Sequence, residues 1–340
     1  MSKILVTGGV GYIGSHTVVE LYNAGFEVII VDDLSNADVR ILGQIEKITG
    51  IQPEFVKLNL CEEKEVISFA ELHKDITGII HFAAFKAVGE SVQQPLKYYR
   101  NNFYSLINVL TAFNSNIKLV FSSSCTVYGQ PDVLPVTEDA PIKKAESPYG
   151  NTKQIAEEIL EETCAVSPSL EVIVLRYFNP VGAHASALIG ELPNGVPQNL
   201  IPFITQSAIG KRAAITVYGD DYQTPDGSAI RDYIHVVDLA KAHVSAIKRL
   251  ERGMDTNYEV FNIGTGKGSS VLEIINAFEQ STGEQLNYTI GARREGDIEQ
   301  TFGDVSKANK VLDWKATLGV KEMMESAWNW EKYLRDNPFS

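Results

Sequence analysis

The residues Ser147–Lys153, SPYGNTK, set a tyrosine four positions before a lysine, after a Ser-Pro pair that signals a helix start. Side chains four apart on a helix share a face. Among the 14 tyrosines of the chain, Tyr149 alone has a lysine four residues on, Lys153. A free phenol titrates near about 10, so a general base at neutral pH needs it lowered by about three units, roughly 4 kcal/mol. A neighbouring ammonium has the sign to do this. Upstream, the apolar run KLVFSSS ends in Ser122–Ser124, which would place a hydroxyl at the mouth of a buried strand. Such a hydroxyl can bond a substrate oxygen or the phenol.

These groups need a scaffold, and the first half of the chain supplies a rhythm for one. The runs KILVTGG, EVIIVDD, EFVKLNL, GIIHFAA, KLVFSSS and EVIVLRYFN are apolar on both faces, as buried parallel strands are. Helical patterns such as 11–24, closed by Gly25, and 62–73 lie between them. Strand and helix in alternation predict a Rossmann-like doubly wound parallel sheet of the α/β class. From about Gly182 the chain becomes rich in Gly, Pro and Asn, the composition of a smaller, loop-rich α/β substrate-binding domain. A late strand-like run, YEVFNIGTG, is expected to return to the main sheet. The expected division is 1–181, completed by about 232–266, for the dinucleotide, with 182–231 and 267–340 for the substrate.

The turn after the first strand reads TGGVGYIG. Gly8, Gly11 and Gly14 allow a tight turn, approach to a pyrophosphate and close helix packing, with the helix N-terminus directed at the phosphates. The second strand ends in Asp32, placed to accept hydrogen bonds from a ribose 2′-hydroxyl. A carboxylate there repels a 2′-phosphate, which favours NAD over NADP. Oxidised nicotinamide would add a second positive charge beside Tyr149.

The net charge of −13 argues against a nucleic-acid binder, which needs clustered cations. Three dispersed cysteines fit neither a disulfide framework nor a metal site, and the six histidines show no ligand spacing. No stretch approaches the roughly 20 apolar residues of a membrane span, and the N-terminal run is too short for a signal peptide. The expectation is a reduced, cytoplasmic protein without metal, nucleic-acid or membrane partners.

With TGGVGYIGSH, HFAAFKAVGESV, SSSCTVYG, SPYGNTK, LRYFNPVGAH, IRDYIHVVDLA and RREGD, the chain resembles the extended short-chain dehydrogenase/reductases, and within them the UDP-hexose 4-epimerases. The resemblance implies reversible epimerisation at C4 of a UDP-hexose, through a 4-keto sugar and tightly bound NAD. It makes Tyr149 base and acid, Lys153 the ribose-binding cation, and Ser124 a bridge to the sugar oxygen, so that all three touch cofactor and Ser124 and Tyr149 touch substrate. It assigns NAD contacts to Tyr12, Ile13, Asp32, Asn36, Asn59, Leu60, Phe82, Ala83, Ala84, Phe85, Lys86, Asn101 and Phe178, beside the three glycines. For the UDP-sugar it implies Asn179, Asn199, Leu200, Arg231, Arg294 and Asp297. Thr301 falls where a tyrosine would exclude a 2-N-acetyl group, which extends the expected substrates to the N-acetylated pair. The resemblance also implies a homodimer through helices within 93–114 and after Pro148. A 4,6-dehydratase would need an added acid and base after Ser124, where Cys125 and Thr126 stand. A net dehydrogenase and a non-catalytic dinucleotide sensor remain as alternatives.

Overall fold

The computed structural model describes residues 2–113, 117–294 and 297–339. The six apolar runs become β1 (Lys3–Thr7), β2 (Glu27–Asp32), β3 (Glu54–Lys57), β4 (Ile76–His81), β5 (Lys118–Ser124) and β6 (Glu171–Tyr177). Four short strands follow: β7 (Asn179–Val181), β8 (Ile215–Tyr218), β9 (Ile230–Arg231) and β10 (Tyr233–His235). Then β11 (Tyr258–Ile263) comes back to pair with β6. Among the described residues the main sheet has seven parallel strands in the order β11-β6-β5-β4-β1-β2-β3. The remaining strands, β12 (Ser269–Ser270), β13 (Tyr288–Gly291) and β14 (Gln300–Thr301), belong to small sheets.

The helices between the main strands are α1 (Tyr12–Asn23), α2 (Arg40–Thr49), α3 (Glu63–Leu72), α4 (Val88–Gln93), α5 (Pro95–Ala112) and α6 (Pro148–Val166). Beyond them lie α7 (Leu200–Ala208), α8 (Val236–Arg252), α9 (Val271–Thr282), α10 (Ser306–Val311) and α11 (Val320–Asp336). Alternation along β1 explains why both faces of the sheet are covered. Ile4 and Val6 join a core built with α1, α2 and α8, whereas Leu5 joins one built with α3, α5 and α6. A third core, with Ile204, Val217, Phe278 and Trp328, binds α7, β8, α9 and α11 together away from that sheet.

Start and stop signals act where the sequence puts them. Ser147 caps α6 by accepting a hydrogen bond from Gly150 N at 3.1 Å, and Pro148 occupies the first helical turn, where its missing N–H costs nothing. Gly25 follows the end of α1 with φ of +84°, the left-handed conformation that stops a helix.

Candidate active site

Chain direction through the sheet reverses between β1 and β4: β1 leads on to β2 on one side, β4 to β5 on the other. A crevice opens at the carboxyl ends of strands at such a point. The turn after β1 forms its floor. A Cβ at Gly14 would sit 2.2 Å from the Gly8 carbonyl oxygen, and one at Gly8 (φ +68°) would sit 3.0 Å from the Ala83 nitrogen. Side chains at either position would close the cradle, so the glycines keep backbone accessible to a phosphate.

At the end of β2, Asp32 is buried and receives backbone N–H groups from Val10 at 3.2 Å and Leu34 at 2.9 Å. Burial pushes its carboxyl above the ordinary range while these bonds pull it down. A carboxylate oxygen has two acceptor directions, so Asp32 keeps capacity for a ribose hydroxyl. Around the crevice, the Tyr12 hydroxyl donates to the Gly182 carbonyl at 2.6 Å, and Ile13 packs on the core beneath. Lys86 reaches Glu191 at 3.3 Å, and the same carboxylate oxygen accepts from Asn199 at 2.7 Å. Asn36 accepts from Asn194 at 2.8 Å. The turn after β4 is pinned by Thr7 to Ala83 and by Asn102 to Phe85, with Asn101 bonded to Asn102 in turn. Phe82 packs on His243, and Ala84 follows two residues later on the same turn. Asn59 is exposed, its side-chain oxygen accepting from Cys61 N at 3.0 Å, whereas the Leu60 side chain is buried with α3, α5 and α6.

Tyr149, Lys153 and Ser124 converge at the end of β5. All three are buried, at 7%, 5% and 7% exposure. Ser124 Oγ accepts from Thr126 N at 3.3 Å, and its hydroxyl lies beside the Tyr149 phenol. The Lys153 ammonium donates to the Ser122 carbonyl at 2.7 Å and lies 4.8 Å from the Phe121 ring centre. The acidified phenol expected from the spacing is not produced by these side chains alone. Burial pushes Tyr149 well above 10, Tyr177 pushes the same way, and the neighbouring Ser124 hydroxyl pulls it down. Burial also brings Lys153 down to about 8. In both cases desolvation favours the neutral form.

The arginines meet on the loop-rich side. Arg231, in β9, lies 3.2 Å from one Asp297 oxygen, and Arg294 lies 2.9 Å from the other, with its guanidinium 4.8 Å above the Tyr218 ring. Residues 295 and 296 of the RREGD motif are outside the described residues. Thr301 is buried beside Arg231 in register. Asp232, next in the chain, is buried and holds Thr265 and Gly266 through backbone N–H bonds of 2.8 and 3.0 Å, fixing the strand that carries Arg231. Asn179 begins β7 and pairs with Tyr233, whereas Phe178 is buried against Val127, Tyr128 and Val136. Leu200 opens α7 after Asn199. The predicted residues thus form two groups, one at the sheet and one at Arg231, while Lys86 and Asn199 meet on Glu191. Sequence reasoning missed Glu191 and the buried row containing Arg176 and Glu157; the signal for the latter was a charged residue inside the apolar run EVIVLRY.

A family model described as GDP-mannose 4,6 dehydratase matches residues 5–327. A protein named UDP-glucose 4-epimerase from Dictyostelium discoideum is 48% identical over 340 residues, covering 99% of this chain and 98% of its own. The chain belongs to the UDP-glucose 4-epimerase family of extended short-chain dehydrogenase/reductases. Solved structures of the family superpose closely. The enzyme from Stenotrophomonas maltophila, with bound NAD and formylated UDP-arabinopyranose, is 45% identical with a TM-score of 0.95, covering 99% of this chain and 100% of that one. The Bifidobacterium longum enzyme, in complex with NAD+ and UDP, is 46% identical with a TM-score of 0.91, covering 99% of each chain. After Ser124 come Cys125, whose thiol burial pushes up to about 12, and Thr126, neither of which can act as the added acid and base that a 4,6-dehydratase would need.

Proposed function

We propose that the protein interconverts the C4 epimers of UDP-hexoses, UDP-glucose and UDP-galactose, as an isomerase that keeps NAD bound. The observation that carries this reading is the convergence of buried Tyr149, Ser124 and Lys153 at the end of β5, with Lys153 one helical turn from Tyr149 and held by the Ser122 carbonyl. The cradle and Asp32 fit an NAD: the former has no side chains to block a pyrophosphate, the latter presents a carboxylate to a ribose. When bound, NAD supplies an acceptor for the C4 hydride and gives it back, leaving the reaction redox-neutral.

The chain's own residues do the rest. Tyr149 takes the proton of the sugar 4-hydroxyl and later returns it, and Ser124 holds both oxygens in line. The Lys153 ammonium, fixed by the Ser122 carbonyl, supplies positive charge to the phenolate that forms. Arg231 and Arg294 hold the diphosphate, a match of planar donors to phosphate oxygens, and Asp297 orients both. The hexose end lacks any comparable charged anchor in this assignment, so the 4-keto sugar turns over while the nucleotide stays in place. The proposed division is 1–181 with 232–266 for NAD and 182–231 with 267–340 for the UDP-sugar; the separate third core supports a second unit, while Ile189, Ala308, Leu312 and Trp314 pack with the sheet core. Tyr12, Ile13, Asn36, Asn59, Leu60, Phe82–Lys86, Asn101 and Phe178 complete the NAD contacts, and Asn179, Asn199 and Leu200 the sugar-nucleotide contacts. Thr301 leaves room for an N-acetyl group, so UDP-N-acetylglucosamine is a second substrate.

The pairing of two copies uses α5 and α6. Leu96, Tyr104 and Ile107 of α5 are exposed at 81%, 52% and 41%, which supports an apolar contact surface there; Asn114, at the end of the expected segment, lies outside the described residues. Cys61, Cys125 and Cys164 are all free, which supports a reducing, cytoplasmic setting. Among the described residues no helix is long and apolar enough to cross a membrane. The decisive experiment incubates the purified protein with UDP-galactose and no added cofactor. UDP-glucose is the expected product, and its absence in protein shown to carry NAD would refute the reading.

A further inference from the structure

Parallel strands covered on both faces are ordinarily apolar along their length, yet β5, β6 and β11 carry Ser123, Arg176 and Asn262 at one level. Ser123 is opposite Arg176, and Arg176 is opposite Asn262. All three are buried and form a polar row across the sheet, one residue short of Ser124. Glu157 closes the row from α6. It accepts from Ser123 Oγ at 2.5 Å, from Arg176 Nε at 3.1 Å to each oxygen, and from Arg176 Nη2 at 2.6 Å. The other arm of Arg176 donates to the Tyr128 hydroxyl at 3.0 Å and the Glu138 carbonyl at 3.1 Å, and Tyr128 donates to Asn262 at 2.7 Å.

Along α6, Tyr149, Lys153 and Glu157 follow one another at intervals of four and share a face. Their partners are three consecutive residues. Tyr149 lies beside the Ser124 side chain, Glu157 accepts from the Ser123 side chain, and Lys153 donates to the Ser122 carbonyl. Each turn of the helix therefore holds one residue of the strand end. Of the three, the Glu157 contact is the one tied further into the sheet, through Arg176.

We propose that Glu157 is a positioning residue for the reaction: clamped by Arg176 and Ser123, it sets the height of α6 against the end of β5 and places a fixed negative charge one turn from the Lys153 ammonium. The inference rests on the epimerase reading above and deepens it. Titratable groups lie on α6 itself and on the elements around it. α6 brings Tyr149 and Glu157, β4 His81, and β6 Arg176 and Tyr177. The turn after β5 brings Cys125 and Tyr128, α5 Tyr98, and α4 Glu90. His81 is pushed down to about 3 and is neutral, and burial raises the tyrosines and Cys125, so they are neutral too. Glu90 is engaged by Lys97 and Tyr98. Glu157 is left as the carboxylate that opposes the desolvation of Lys153.

The test uses the purified protein with its bound NAD, labelled with 13C at lysine Cε, the Lys153 signal being assigned by its loss in Lys153→Met. In Glu157→Gln, which keeps the shape and removes the charge, the Lys153 titration midpoint should fall by roughly one pH unit. The alkaline limb of kcat on UDP-galactose should move with it, lowering turnover above that midpoint by about tenfold, while KM stays within about threefold. Ser123→Ala, which keeps the charge and loses one hydrogen bond, should leave the midpoint in place. An unchanged Lys153 midpoint in folded Glu157→Gln overturns the proposal whether or not the protein is an epimerase. A normal shift in a protein without epimerase activity overturns the reading of function instead. Should Glu157→Gln not fold, Glu157→Asp keeps the charge on a shorter arm; reduced kcat at unchanged KM supports the positioning role, and wild-type kcat refutes it.

Discussion

The two halves of the site are built on different physical terms. At the end of β5 every group that would do chemistry is buried, and its neighbours are fixed main-chain or side-chain atoms of the sheet. At Arg231 and Arg294 the charges are partly exposed, and they hold each other through Asp297, with side-chain exposures of 16%, 56% and 15%. Desolvation dominates the first region, and ion pairing in reach of solvent dominates the second. Proton transfer needs groups that do not move and whose pKa values are set by surroundings, whereas a diphosphate that comes and goes needs cations that exchange partners quickly.

The largest effect that tests this contrast is in the buried half. Tyr149→Phe should reduce epimerisation by roughly 10²- to 10⁴-fold while NAD released on denaturation stays at the wild-type amount. Residual activity near wild type would mean another group moves the proton. In the other half, Arg231→Ala should weaken UDP affinity by about 10- to 100-fold and leave NAD content unchanged, read by calorimetric titration. If the loss instead appears in kcat at constant affinity, the two halves are not separable in this way. Between them, Asp32→Ala should weaken NAD retention by about tenfold or more, measured as cofactor lost on gel filtration.

The smallest effect concerns stability. His16 and His81 are pushed down to about 3 by burial, and His235 and His243 to about 4. Their folded pKa values are depressed below the unfolded value of 6.5, so the stability they contribute is present above pH 6.5 and disappears as pH falls toward 4 and below. Each adds up to roughly 1.4 kcal/mol per pH unit in that window. Tm should fall steadily below pH 6.5, and His81→Asn, which removes one such titration, should flatten part of the slope. A Tm independent of pH between 6.5 and 4.5 would contradict the assignment.

What the sequence disclosed was the part encoded locally. The turn after β1 is readable because three glycines act within one turn and a strand and a helix flank it. Asp32 is readable from its distance along the chain, and α6 from Ser147 and Pro148. The row of Ser123, Arg176 and Asn262 is different. Its members lie 53 and 86 residues apart in sequence and meet only through strand register. Register across a parallel sheet is set by the folded whole, so no short window contains it. The pKa of Tyr149 escaped for a related reason: spacing reveals a neighbouring lysine but not the water both groups lose on burial.

The hydroxyl of Tyr12, within the glycine turn between Gly11 and Gly14, is tied to the carbonyl of Gly182, where the chain leaves for its loop-rich half. A wide gaping of the two halves would therefore tug on the seat of the coenzyme at each turnover. Sugars are better exchanged by rearranging loops around a closed frame, which lets one dinucleotide serve a long succession of substrates without being dislodged.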